Sequence, residues 1–351
     1  MSDPVAQTEL LQALRDAVPA QASAAAAVIG VDGAPVAVAG IGEAVRYADA
    51  DGHVAVVRPS ADIDTVFDLA SLTKVYTTVI ALLLAQRGVL DLDGPIRDRL
   101  PEYVAGEVTL RQLLTHTAGL PAGVPLRGTE PSARRDLVLA TEPVTRPGTV
   151  HCYSDVSLIL AGWVIEAATG DTLDNLLRGL IADPLGLSHT GYGPAFTPDR
   201  CAATEYKDGV LRRGVVHDET AHLLGGVCGH AGIFATAGDV WEFAEALRDH
   251  RLLTAETTVD MTRRHARADR YGQGLGVRLD DPAITGALTG SFGHTGFTGT
   301  SFVVDQERAV SAVVLTNRVH PLRTQGNADP VRCAIADIAY RAQRRKHAGT
   351  S

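Results

Sequence analysis

Apolar positions along the chain change period twice, and those changes outline the architecture. After an amphipathic helix over about 5–17, two apolar runs, Ala24–Val31 and Ala34–Ala39, meet at Asp32-Gly33. That dipeptide between apolar runs is a hairpin signal, because both residues tolerate the positive φ of a two-residue turn. The last third reads the same way. Strands are predicted over Gly274–Leu279, Thr300–Val304 and Val310–Thr316, with a closing helix from about Asp329 to Arg345. Between these ends, steps of three and four residues take over. Leu72, Val75, Val79, Leu82 and Leu83 form one face of a helix over Leu72–Arg87. Helices follow at Leu110–Thr115, at Ser157–Ala168 with Gly170 as its stop, and at Asp239–His250. Gly- and Pro-rich stretches at 119–131, 143–148, 191–198 and 286–299 read as loops. The pattern predicts an α/β fold in one domain, 1–351. Its sheet is built from both termini (about 1–65 and 268–351), and a helical lobe (about 66–267) is inserted between them. A cleft where the lobes meet is the natural place for a site.

Composition narrows the function classes. The 351 residues are 45% apolar and 21% charged, an ordinary globular balance. A formal charge of −9 argues against nucleic acid or an anionic membrane as partner. The basic cluster Arg341 to Lys346 ends a helix and suits the negative end of its dipole. No basic region leads into an apolar core near the N-terminus, so a soluble, cytoplasmic protein is expected. Cys152, Cys201, Cys228 and Cys333 are far apart and lack metal-knuckle spacing, and Cys152 reads as a buried, inert thiol.

The chemistry centres on Ser71-Leu72-Thr73-Lys74, at the start of a helical pattern. A serine in a first turn lies beside unpaired backbone N–H groups, and a lysine three residues on shares its face. Alone, the four residues are an ordinary capping serine and lysine. Two further segments change their meaning: Tyr153-Ser154-Asp155, which opens another helix, and His294-Thr295-Gly296, between a Gly-rich loop and a strand. The set resembles the serine β-lactamase and penicillin-binding superfamily, in its class C β-lactamase-related branch of esterases, D-aminopeptidases and acyltransferases. Leu113 to Leu120 (LLTHTAGL), Gly225-Gly226, Gly229 to Thr236 and Tyr271 to Gly276 resemble further signatures of that branch.

The resemblance implies a β-lactamase/transpeptidase-like fold and a covalent acyl-enzyme with no cofactor and no metal. Ser71 would be the nucleophile, with Lys74 and Tyr153 exchanging its proton. The N–H groups of Ser71 and Phe297 would form the oxyanion hole, and Asp155, His294, Thr295 and Gly296 would line the substrate. The implied substrate is a small ester or amide, with an amine or alcohol acceptor if the enzyme is an acyltransferase instead. A β-lactamase or DD-peptidase, or a non-catalytic binder, is the weaker reading.

Two departures from the family bear on mechanism. Asp155 stands where the family carries Asn. A carboxylate can only accept, and it favours the charged form of a nearby Lys74, which shifts the base role to Tyr153. His294 stands where β-lactamases carry Lys. A neutral imidazole removes a fixed positive charge, so recognition of a substrate carboxylate is not expected. A metal reading of His217, His222, Cys228 and His230 is weak, because the first two are five residues apart rather than four. Glu166 reads as a surface carboxylate in mid-helix.

Overall fold

The hairpin at Asp32-Gly33 forms with both residues at positive φ, 52° and 75°. The computed structural model describes residues 3–105, 107–193, 196–324 and 326–348. The hairpin joins β1 (Ala24–Val31) to β2 (Ala34–Gly42). The C-terminal third adds β3 (Ala266–Arg267), β4 (Gly272–Gln273), β5 (Arg278–Leu279), β6 (Phe292–Thr295), β7 (Ser301–Asp305) and β8 (Val310–Thr316). Among the described residues these eight strands form one antiparallel sheet in the order β2-β1-β8-β7-β6-β5-β4-β3. The register Ala25↔Thr316 to Val31↔Val310 knits the two chain ends together.

The principal helices are α1 (Pro4–Ala17), α2 (Thr73–Gln86), α3 (Leu110–Leu114), α4 (Asp155–Thr169), α5 (Ala237–Arg248) and α6 (Asp329–Ala348). Side chains alternate across β1. Ala25, Ala27 and Ile29 join α1 and α6 in one core, whereas Ala24, Ala26 and Val28 join α5 and the helical lobe in the other. β1 is therefore covered on both faces, which explains its unbroken apolar sequence. No single described helix is long and apolar enough to span a membrane.

Two expectations are corrected here. Gly274–Leu279 is not one strand. β4 and β5 flank a tight turn closed by the Gly274 N–H on the Val277 carbonyl at 2.9 Å. Leu275 and Val277 are fully buried in that turn, and this burial mimics a strand in the sequence. The predicted loop 286–299 contains β6, because pairing with β5 and β7 overrides the low strand propensity of a glycine-rich run. His294 and Thr295 therefore sit on a central strand. Part of the predicted loop 191–198, residues 194 and 195, lies outside the described residues.

Candidate active site

Ser71 lies in a 3₁₀ turn, Ala70–Leu72, that runs directly into α2. Ala70 has φ 48°, a left-handed conformation that costs an alanine on the order of 1–2 kcal/mol. Asp68 holds the turn there. Its Oδ1 accepts the Ala70 N–H at 2.8 Å and its Oδ2 the His217 N–H at 2.6 Å. The carbonyls of Asp68 and Leu69 accept the hydroxyls of Thr298 (2.7 Å) and Thr300 (3.0 Å), tying the start of α2 to the β6–β7 turn. Gly296 allows this approach, since a Cβ there would lie 2.4 Å from the Leu69 carbonyl oxygen. The backbone of Ser71 and that of Phe297 are thus held by one hydrogen-bonded frame.

One helical turn on, Lys74 is completely buried. Its Nζ donates to Ser71 Oγ at 3.0 Å and to the His230 carbonyl at 3.1 Å, and pairs with Asp155 Oδ1 at 2.8 Å. The His230 carbonyl and the Asp155 carboxylate can only accept, so Lys74 donates to both, and the charged amine has a third N–H for Ser71 Oγ. Burial disfavours the charge, but Asp155 and Tyr153 outweigh it and hold Lys74 above the ordinary lysine range. One oxygen of Asp155 is thus committed to Lys74, while a third of its side chain stays exposed.

Tyr153 faces the same ammonium, which lies 5.1 Å from its ring centroid. The neighbouring Ser154 caps α4 by accepting the Ser157 N–H, and donates to the Pro121 carbonyl at 2.6 Å. His116 braces this segment, a role its place in the LLTHTAGL signature did not reveal. Its Nδ1 accepts the Ser154 N–H at 3.1 Å, its carbonyl accepts the Cys152 N–H at 2.8 Å, and its ring lies 4.5 Å from that of Tyr153. Burial, with the Lys74 charge, pushes His116 well below its usual range and keeps it neutral. His294 is also buried and neutral, held low by burial and by Arg278 and Lys74. Its Nδ1 donates to the Thr295 carbonyl at 2.8 Å.

A neutral His294 was expected to leave a substrate carboxylate without a cationic partner, but the surrounding wall carries arginines. A cavity of about 410 Å³ opens beside Ser71, Tyr153, Thr295 and Phe297, and Arg278 and Arg318 line it too. Arg278 stands on β5, next to β6, with its guanidinium carbon 5.4 Å from the Tyr153 centroid and its position fixed by Asp281 at 2.9 Å. Arg318 stacks on the Phe297 ring at 4.5 Å. Arg332 braces the wall by donating to the carbonyls of Gly296 and Thr300. Sequence spacing around His294 cannot show that an adjacent strand brings Arg278 to the same cleft.

The remaining candidates separate. His217 pairs with Glu205 at 3.0 Å and stacks on Phe297, His230 pairs with Asp218 at 2.9 Å, and His222 is exposed on a short helix. His217, His222, Cys228 and His230 do not converge as a metal set. Among the described residues, the groups with ligand atoms close together are Asp155–Asp218–His230, where the Lys74 ammonium already meets Asp155, and Asp49–Asp51–His53, of which Asp51 and His53 are exposed and Asp49 is half-buried. Glu166 is half-buried rather than exposed and accepts the Leu173 N–H at 3.1 Å. Cys152 is half-buried as well, less enclosed than expected.

Comparison with known proteins follows the same lines. A family model described as Beta-lactamase matches residues 11–335. The chain is 34% identical over 328 residues to a putative D-alanyl-D-alanine carboxypeptidase of Escherichia coli K12, covering 80% of this chain and 74% of the relative. Its backbone resembles that of EstCE1, a hydrolase with promiscuous acyltransferase activity (TM-score 0.75, 22% identity, 96% of this chain and 100% of the other). It also resembles unliganded simvastatin synthase (LovD) from Aspergillus terreus (TM-score 0.74, 23% identity, 97% of this chain and 100% of the other).

Proposed function

The chain belongs to the beta-lactamase family, and on that premise we propose that it is a serine acyl hydrolase in which Tyr153 is the base. The substrate in this reading is a small amide or ester with a carboxylate near the scissile bond. The observation that carries the reading is the buried Lys74 ammonium, which donates to Ser71 Oγ and faces Tyr153 while Asp155 balances its charge.

In acylation Ser71 Oγ attacks the substrate carbonyl carbon as its proton passes to the Tyr153 phenolate. The carbonyl π pair moves onto oxygen, which accepts the N–H groups of Ser71 and Phe297; such preorganised donors commonly contribute the largest electrostatic share of catalysis. The intermediate collapses, the C–N or C–O bond breaks, and the leaving amine or alcohol takes the proton from Tyr153. Water then attacks the acyl-enzyme, gives its proton to Tyr153, and Ser71 leaves with that proton as the acid departs. Lys74 stays an ammonium throughout. It stabilises the phenolate and the developing charge on Ser71 Oγ.

Arg278 and Arg318 support the anionic substrate, since both line the cavity beside Ser71, where the one lining carboxylate, Asp329, is already paired with Arg332. The curated relative named as a putative D-alanyl-D-alanine carboxypeptidase points to the same substrate class, an amide whose leaving group ends in a carboxylate. The test is a matched set of anilides and nitrophenyl esters with and without that carboxylate, assayed with and without added amine. Faster turnover of the carboxylate member, independent of the amine, is expected. Preference for the neutral member would overturn the substrate assignment. Turnover that requires the amine would make the reaction acyl transfer.

A further inference from the structure

Asp218 and His230 take no part in the scheme above, yet they adjoin its central ion pair. His230 is completely buried, and its Nε2 lies 2.9 Å from Asp218 Oδ1, which also accepts the Ala221 N–H at 2.8 Å. The His230 carbonyl receives one Lys74 N–H. Ligand atoms of Asp155, Asp218 and His230 lie within 4.8 Å of one another. The local chain is wedged between two helices. A Cβ on Gly229 would sit 2.1 Å from the Leu158 carbonyl of α4, and Thr77 of α2 donates to the Gly229 carbonyl at 2.8 Å.

We propose that Asp218 and His230 are positioning residues for the Lys74–Asp155 pair: the Asp218-anchored imidazolium acts as a second cation on Asp155, leaving more of the Lys74 charge directed at Ser71 and Tyr153. The inference rests on the Tyr153-base reading. Coulomb fields add, so a cation beside Asp155 offsets part of the negative field that this carboxylate casts on Ser71 and Tyr153. Of the two His230 ring nitrogens, Nε2 is paired with Asp218, and Nδ1 is buried without a hydrogen-bond partner among the described residues. Burial disfavours the His230 imidazolium, but Asp218, with Asp155 beyond it, pushes the group up to about 10. Asp218 is only half-buried, and His230, the Ala221 N–H and Lys74 hold it below the ordinary carboxylate range. Cys228 faces His230 from its own segment. The groups around Lys74 and Tyr153 include Ser71, Asp155, Asp218, the neutral His116 and His294, Arg278 and Tyr271, and Asp218 also faces Asp68 and Arg323.

The test is the pH dependence of kcat/KM on an activated ester, with fluorophosphonate labelling of Ser71 as a control. His230→Gln keeps the carbonyl that Lys74 uses but removes the second cation, so Asp155 screens Lys74 fully and the acid limb moves to higher pH. Asp218→Asn removes the anchor that keeps His230 charged and moves the limb the same way by a smaller amount, because the Asp218 charge near Lys74 goes too; this covers the case in which the glutamine variant fails to fold. Asp155→Asn unscreens Lys74 and moves the limb to lower pH. Displacements of about one pH unit are expected, roughly tenfold in rate on the limb. A purely structural role lowers rates without moving limbs in opposite directions. Limbs that coincide with wild type, or that all move one way, overturn the inference while leaving the Ser71 assignment intact. Loss of wild-type labelling would instead overturn the parent reading.

Discussion

At the scale of single residues, Tyr153 has the most demanding role, because Asp155 and Tyr153 hold Lys74 in its charged form against its burial and an ammonium has no lone pair to accept a proton. Tyr153→Phe is expected to lower kcat/KM by about 10²–10⁴-fold, the range of a lost general base, with the unfolding temperature little changed. Steady-state kinetics beside a thermal melt checks both halves; a full-strength phenylalanine variant would return the base role to Lys74. Arg278→Gln should raise KM for carboxylate-bearing substrates by about 10–100-fold, the worth of one charge-assisted hydrogen bond, and leave neutral esters nearly unaffected. Equal losses on both substrates would make Arg278 a packing residue. The sequence made Ser71, Lys74 and Tyr153 readable because their relations are short-range: one helical turn for the first pair, a helix start for the third. It also showed why Asp155 would keep Lys74 charged. Arg278 was invisible, since its place depends on β5 pairing with β6, and one of those strands was hidden in a glycine-rich run.

At the scale of elements, the turn before α2 is the joint on which the site depends. Asp68 is buried and accepts two backbone N–H groups, from Ala70 and His217. Asp68→Ala orphans both, so a loss of stability of about 1–3 kcal/mol per donor is expected, read from urea unfolding. Slower acylation should accompany it, because Ala70 no longer has its anchor at positive φ. An unchanged unfolding midpoint would show that other contacts hold the turn. This joint was not read from the sequence. An Asp side chain can bond the backbone two residues on, but nothing local shows that Asp68 does so or that Thr298 and Thr300 complete the frame from across the cleft. Strand limits failed where burial and propensity disagreed, as at Leu275 and Val277.

At the scale of the whole molecule, buried histidines of opposite preference set the response to pH. His116 and His294 are held far below the ordinary 6.5, and His320 is pushed down to about 4, in each case mainly by burial. The unfolded chain therefore takes up protons first as pH falls through 6.5, and stability declines on the acid side. His230, pushed up to about 10, behaves oppositely: its contribution is complete below 6.5 and is lost as pH rises from there toward 10. Urea midpoints between about pH 5 and 8.5 should pass through a maximum near 6.5, with the alkaline decline removed in His230→Gln. A midpoint that rises steadily across the range would contradict this balance. The two-ended sheet was legible at this scale because β1 and β8 are continuous apolar runs at opposite ends of the chain. The charge balance was not, because it depends on which histidines the folded lobes enclose.

The central claim is that Ser71 forms a covalent acyl-enzyme. Its most direct test is the intact mass of the protein after treatment with a serine-directed fluorophosphonate, for wild type and Ser71→Ala side by side. A single adduct on wild type and none on the alanine variant is predicted. An unlabelled wild type, or equal labelling of the two, would contradict the account.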